Sequence, residues 1–186
     1  MIDIVATSTE ELTPSKLSPH KIRLKANAKP VKLRSYRLIK LKSDILKEEL
    51  TKLIKKGLIE PSCSEWSSPV VLILKHNGKW CLCIDYRKVN DMTEKDSYSV
   101  PYIYEIFDSL GGAKIFTTLD LFSGFHQILM DEESVEVTTF TTKFRNYQFK
   151  VMPFRLTGAP STFQREMNKF YSLLLVNLFT SLLMMF

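Results

Sequence analysis

The stretch that most constrains the fold is a pair of apolar runs joined by a tight turn. Residues 70–74 are wholly apolar, and residues 80–86 form a second, mainly apolar run after His-Asn-Gly-Lys. Asn-Gly between two such runs is a strong short-range signal for a β-hairpin. The sequence therefore predicts an antiparallel hairpin with one face in a core and lysines near its exposed tip.

Three segments predict helices. Residues 43–56 carry an apolar stripe, with Ser43 as the expected N-cap and Gly57 as the residue that ends the helix. A second helix is predicted to begin at Pro101 and to end at Gly111-Gly112, and a third is predicted from about Pro160 to Leu174. The stripe residues of the three helices are, in order, Ile45, Leu46, Leu50, Leu53 and Ile54; Ile103, Ile106, Phe107 and Leu110; and Phe163, Met167, Phe170, Leu173 and Leu174.

Three further segments predict strands, so we expect the α+β class. They span residues 125–130, 138–142 and 147–152, with Pro153 ending the last. Residues 1–20 are polar, contain Pro14 and Pro19, and are expected to form an extended arm or linker.

Charge favours a polyanionic partner without proving one. The net charge is +6, and residues 21–41 contain eight Lys or Arg and no acid. Such a strip suits contact with phosphates. A solvated edge strand protected by lysines explains it equally well.

The cysteines and the ends of the chain predict where the protein resides. Three cysteines without a signal peptide indicate reduced thiols, and Cys81-x-Cys83 is too closely spaced for the usual zinc pair. We expect an intracellular protein, in the cytoplasm or nucleus, that is not secreted. Residues 170–186 lack charge, but they are fewer than the about 20 apolar residues of a membrane span and include polar ones, so no membrane anchor is expected.

Asp120 follows a short apolar run and precedes a Ser-Gly turn. A carboxylate at a strand end beside a turn can hold a metal ion or cap the turn. Taken alone, the residue does not distinguish these roles.

Three ordered segments resemble the reverse transcriptase of gypsy-type LTR retrotransposons: Leu82–Asn90, Thr118–Ile128 and Met152–Arg165. The resemblance runs from about His20 to Asn168. It implies a right-hand polymerase of fingers and palm over residues 21–168, with an antiparallel palm sheet backed by helices and incomplete at the C-terminus. The apolar tail, residues 169–186, would follow it.

The resemblance also implies an activity and partners. The family adds deoxynucleotides to a primer 3′-hydroxyl on an RNA or DNA template, using two Mg²⁺ ions held by hard oxygen ligands. Expected partners are a template-primer and dNTP. The thumb, ribonuclease H and integrase regions of a parent polyprotein are expected to be missing.

The resemblance assigns roles to single residues. Asp120 matches the first catalytic and metal-binding aspartate, and Leu121 would offer its backbone carbonyl to the metal. Candidate nucleotide-binding residues are Lys75, Phe125, Phe154 and Gln164, and candidate template or primer contacts are Arg87 and Asn90. Core packing is an alternative role for Phe125, and a structural hydrogen bond is an alternative for the polar residues.

Several positions depart from the family pattern. Cys81 replaces an arginine that contacts the triphosphate, and Arg145 and Arg155 replace glycines. The family's Asp-Asp metal pair is absent, because no Asp or Glu follows Glu166. Residues Leu182–Phe186 lie near the position at which the family has this Asp-Asp pair. One possible set of codons for these residues, read in another frame, encodes Ile-Asp-Asp-Val, which suggests a frameshift between about 169 and 182. We therefore expect a catalytically inactive member of the family or, alternatively, a non-catalytic nucleic-acid-binding relic.

Overall fold

A computed structural model describes residues 17–76, 78, 80–98, 102, 104, 107–108, 110–112, 114 and 121–174, with only the backbone described for 170–174. In this part of the chain, four α-helices accompany a five-stranded mixed sheet. The helices are α1 (Lys40–Lys55), α2 (Arg87–Met92), α3 (Glu132–Val135) and α4 (Ala159–Leu174). The strands are β1 (Ile59–Pro61), β2 (Ser68–Leu74), β3 (Trp80–Ile84), β4 (Phe140–Thr141) and β5 (Asn146–Phe149). Their order in the sheet is β1-β5-β4-β2-β3.

The predicted hairpin is confirmed. Strands β2 and β3 pair antiparallel from Val70 opposite Ile84 to Leu74 opposite Trp80. Gly78 in the connecting turn has φ +73°, a conformation that glycine adopts without steric cost. We had expected an antiparallel sheet. The sheet is mixed instead, because β2 and β4 run parallel where Ser68 pairs with Phe140.

Helix α1 forms as predicted but begins earlier. Its N-cap position is Ile39, so Ser43 lies inside the helix, 1% exposed, and is not the cap. Leu46 and Leu50 are buried, whereas Ile54 at the end of the stripe is 45% exposed. The predicted end is confirmed: Gly57 has φ +66° and its N–H donates to the Ile54 carbonyl.

The segment after Asp120 does not form the strand that we predicted over residues 125–130. Gly124–Gln127 is a 3₁₀ turn, and only Leu129 and Met130 make isolated bridges, to Val151 and His20. Ser123 in the left-handed region, with φ 50°, turns the chain sharply before Phe125 and prevents an extended start. The strand prediction was wrong because a pattern of apolar residues does not show that a neighbouring serine adopts a left-handed conformation.

The two later strands are shorter than predicted. Strand β4 contains only Phe140–Thr141, because Thr138 ends a 3₁₀ turn in which its hydroxyl donates to the Val135 carbonyl over 2.6 Å. Strand β5 ends at Phe149, before the predicted residue 152. The helix predicted from about Pro160 is confirmed as α4. The helix predicted from Pro101 falls on a segment in which Pro101, Ile103 and Ile106 lie outside the described residues.

The end of the predicted N-terminal arm is packed against the protein. His20 is 3% exposed, and its backbone exchanges hydrogen bonds with Leu129 and Asp131. The Ser18 N–H donates to the Glu166 carboxylate over 3.1 Å. Residues 17–20 therefore join the fold, while residues 1–16 lie outside the described part.

The basic segment, residues 21–41, does not form an edge strand in the described structure. It makes two isolated bridges, between Leu24 and Thr93 and between Lys32 and Ser67. Its extended course leaves most of its lysines and arginines on the surface. Among the described residues, no helix is long and apolar enough to cross a membrane.

Candidate functional site

The residue that anchors the predicted site, Asp120, lies outside the described residues. The carbonyl of the next residue, Leu121, accepts a hydrogen bond from the Gly124 N–H over 3.2 Å. A carbonyl oxygen has two lone pairs, so this bond leaves one for another ligand. The described residues contain no group of three or more His, Cys, Asp or Glu side chains suited to a metal ion.

The turn that follows Asp120 is pressed against helix α4. A Cβ atom built on Gly124 would lie 2.7 Å from Cζ of Phe163, closer than side-chain carbons approach one another. Only glycine fits this position without displacing the ring. The contact therefore fixes the turn, and with it the start of the segment that carries Phe125, on the first turns of α4.

Two predicted nucleotide-binding residues from distant segments meet in an aromatic cluster. The rings of Phe125 and Phe154 stack with centroids 5.2 Å apart, and the tilted ring of Phe163 has its centroid 5.1 Å from that of Phe125. Phe125 is 5% exposed, whereas Phe154 is 51% exposed. Phe154 thus presents the open aromatic surface, and Phe125 supports it from below, so the packing role left open for Phe125 is present in the structure.

His126 completes the cluster and was not singled out from the sequence. Its ring meets Phe154 edge-on with centroids 5.0 Å apart. Burial lowers the pKa of His126 to about 4, with a smaller contribution from Lys56, so the ring is neutral at neutral pH. Its position beside Phe125 in the motif was the one signal available in the sequence.

The turn after Phe154 is held by Asn90. The Asn90 amide donates to the Arg155 carbonyl and accepts from the Thr157 N–H, each over 2.9 Å. Arg155 has φ +74°, a left-handed conformation that favours glycine. Asn90, predicted as a template or primer contact, therefore has a structural role that fixes the loop carrying Phe154.

Arg87 is exposed and forms a bidentate ion pair. Its Nε and Nη2 donate to the two Asp85 carboxylate oxygens over 2.8 and 2.7 Å. The Arg87 guanidinium lowers the pKa of Asp85, outweighing partial burial, which raises it. The Arg87 side chain is 82% exposed, and its guanidinium retains donors for a further partner.

Lys75 and Gln164 lie in opposite surroundings. Lys75 is exposed at the end of β2, where its carbonyl accepts the Gly78 N–H of the hairpin turn; Asn77 and Lys79 lie outside the described residues. Gln164 is 2% exposed and donates to the Asn168 side chain over 2.9 Å. The structure places Gln164 among the core residues of α4 and not on the surface around Phe154, so its nucleotide contact stays a prediction.

Arg145 and Arg155, both expected at glycine positions, differ in their backbone. Among the described residues other than glycine, positive φ values occur at Ser123 and Arg155, so Arg145 needs no glycine conformation. The Arg145 carbonyl instead accepts the Thr142 hydroxyl over 2.8 Å in a short turn before β5. Arg155 therefore holds a backbone conformation that favours glycine, whereas Arg145 does not.

Comparisons with known proteins show which family and which proteins the chain is similar to. The family described as reverse transcriptase (RNA-dependent DNA polymerase) matches residues 73–184. The chain is 40% identical over 177 residues, 92% of its length, to a retrovirus-related Pol polyprotein from transposon 412 of Drosophila melanogaster. It is 41% identical over 145 residues to the Pol polyprotein of transposon gypsy of the same organism, and 39% identical over 124 residues to the enzymatic polyprotein of figwort mosaic virus.

These alignments cover 92%, 75% and 64% of the chain but only 14%, 14% and 19% of the three relatives. The family match spans the turn between β2 and β3, the turn after Asp120 and the Phe154 loop. The chain therefore belongs to the reverse transcriptase family found in retrotransposon and viral polyproteins.

Proposed function

We propose that this chain forms the fingers-and-palm part of an RNA-directed DNA polymerase with the right-hand fold. The stacked pair Phe125 and Phe154 carries the proposal, because two distant segments meet beside the turn that follows Asp120. Arg87 and Lys75 are exposed cations, which suit the phosphates of a nucleotide or a template.

The roles of the aromatic residues follow from their exposure. Phe154 has half of its surface open to solvent and would receive the sugar or base of a dNTP, while the buried Phe125 sets the depth of that contact. A ring packed beneath the sugar leaves little room for a 2′-hydroxyl, which would favour deoxynucleotides. Asn90 positions the loop and does not need to touch the substrate.

The two Mg²⁺ ions expected of the family do not fit the residues of this chain. Asp120 is the one carboxylate that the motif supplies, and no Asp or Glu follows Glu166 in the sequence. Mg²⁺ is bound by hard oxygen ligands at close to octahedral geometry, and two ions need more than one carboxylate. We therefore propose that the chain by itself does not catalyse nucleotide addition.

Primer extension tests this proposal. The protein is incubated with a primed RNA template, dNTP and Mg²⁺, with the Asp120→Asn variant as the matched control. We expect no extension above that of the variant. Extension by the wild type that the variant lacks would show that a working metal site exists.

The exposed cations of the basic segment favour nucleic-acid binding without catalysis as a second function. Lys21 and Lys32 contact Glu133 and Glu65, whereas Arg34, Arg37 and Lys40 have no acidic partner among the described residues. Unpaired surface cations can displace the counterions of a nucleic acid, which makes binding depend on salt.

A salt titration of binding to a primed duplex separates the two functions. We expect the double variant Arg34→Gln, Arg37→Gln to lower the slope of log Kd against log salt by about one for each lost phosphate contact. The double variant Lys47→Gln, Lys55→Gln, which changes two exposed lysines of α1, should leave the slope unchanged. Equal slopes for both variants would exclude the basic segment as the contact surface.

A further inference from the structure

Two cysteine thiols lie side by side on the open face of β3. Cys81 and Cys83 are two residues apart in one strand and therefore point to the same side of the sheet. They pair across the hairpin with Ile73 and Val71, while Ile84 on the opposite side is 4% exposed. Both thiols are partly exposed.

The distance between the sulfurs suits a bridging atom better than a disulfide. The Cys83 Sγ donates to the Cys81 Sγ over 3.8 Å. A disulfide needs about 2.05 Å, and strand positions two apart have Cα atoms about 6.6–6.8 Å apart, at the upper limit for that bond. The two sulfurs are already in contact, so an atom that bonds to both needs a small side-chain rotation and less backbone movement than a disulfide would require.

The surroundings favour a centre that needs only two protein ligands. Within the described residues, no third or fourth His, Cys, Asp or Glu joins the pair to make a closed zinc site. Partial burial and the adjacent Cys83 raise the pKa of Cys81, which keeps its thiol protonated at neutral pH despite the opposing charges of Lys75 and Arg155.

We propose that Cys81 and Cys83 form a dithiol site that binds trivalent arsenic compounds between the two sulfurs. With an organoarsenic oxide, the arsenic–oxygen bond and two S–H bonds break and two arsenic–sulfur bonds form. The oxygen leaves as water with both thiol protons. Arsenic stays trivalent and neither sulfur is oxidised, so no oxidant is needed.

Phenylarsine oxide provides the test. The full chain is treated with it, excess reagent is removed, and free thiols are alkylated and counted by mass spectrometry. Of the three cysteines, we expect only Cys63, which is exposed in the connection between β1 and β2, to be alkylated in the wild type. A dithiol should restore all three, whereas a monothiol at equal thiol concentration should not, because only two linked thiols compete with a paired site.

Single variants assign the site. Cys81→Ser and Cys83→Ser should each leave both remaining thiols open to alkylation, and the matched control Cys63→Ser should leave none. Peptide mapping of the wild-type adduct locates the arsenic without any variant and decides the matter if a variant does not fold. Three alkylated thiols in the wild type, an adduct that maps to Cys63, or unchanged protection in Cys81→Ser would overturn the proposal.

Discussion

At the scale of single residues, Arg155 holds a backbone conformation that glycine adopts more easily. With φ +74°, its Cβ crowds the following carbonyl, which costs about 1–2 kcal/mol. We expect Arg155→Gly to raise the free energy of unfolding by about 1 kcal/mol, part of the gain being lost to the greater freedom of glycine in the unfolded chain. Urea unfolding of both proteins measures the difference.

Arg145 provides the matched control, because its φ is not positive. Arg145→Gly relieves no strain and gives the unfolded chain more freedom, so it should lower the free energy of unfolding by about 0.5–1 kcal/mol. Equal effects of the two substitutions would show that φ at Arg155 does not limit stability.

At the scale of elements, Ser43 tests where helix α1 begins. Its hydroxyl is buried in the helix and has no hydrogen-bond partner among the residues that the structure describes. Ser43→Ala should therefore raise the free energy of unfolding by about 1 kcal/mol, since it removes an unsatisfied polar atom and improves helix propensity.

Ser43→Gly distinguishes an interior position from an N-cap. Inside a helix, glycine is less favourable than alanine by about 1 kcal/mol, whereas at an N-cap glycine is the better of the two. We expect the alanine variant to be the more stable in thermal and urea unfolding. The reverse order would return Ser43 to the N-cap role predicted from the sequence.

The turn after Asp120 depends on its contact with α4. Gly124→Ala would push a methyl group into Phe163 and displace the ring from Phe125, at a cost of about 1–3 kcal/mol. Phe163→Leu shortens the opposing side chain, so the double variant should lose less than the sum of the two single variants. Urea unfolding of the four proteins gives the coupling free energy, and additive losses would contradict a direct contact.

At this scale, the sequence predicts features that depend on neighbouring residues better than features that depend on contacts between distant segments. The β2–β3 hairpin and the end of α1 at Gly57 depend on neighbouring residues, and both were predicted correctly. The 3₁₀ turn at Phe125 and the stacking of Phe125 on Phe154 depend on contacts between distant segments. Motifs could name both phenylalanines but not that one is buried beneath the other.

At the scale of the whole molecule, buried His20 and partly buried His126 link stability to pH. His20 joins the N-terminal segment to α4, with its Nδ1 2.8 Å from the Thr162 hydroxyl, and His126 packs in the aromatic cluster. Removal from water lowers the pKa of each to about 4, from 6.5 in an unfolded chain. At pH values well above 6.5 both histidines are neutral in the folded and the unfolded chain, so they add no pH dependence there.

As pH falls below 6.5, the unfolded chain takes up protons that the folded protein refuses, so the free energy of unfolding decreases until about pH 4. We expect a loss of about 1 kcal/mol per histidine between about pH 7.5 and 5.5. Urea unfolding at these two pH values measures it. Carboxylates such as Asp85 and Asp96, whose pKa values are lowered by Arg87 and Arg165, lose their stabilising effect only at lower pH.

The three histidines allow the sources of this dependence to be separated. His126→Gln should remove about half of the loss, because glutamine takes up no proton in either state. His76→Gln, at an exposed position in the hairpin turn, serves as the matched control and should leave the loss unchanged. A wild-type free energy of unfolding that stays constant between the two pH values would contradict this prediction. It would mean that both imidazoles are protonated as readily in the folded protein as in water, and that the N-terminal segment with His20 does not pack against α4 in solution.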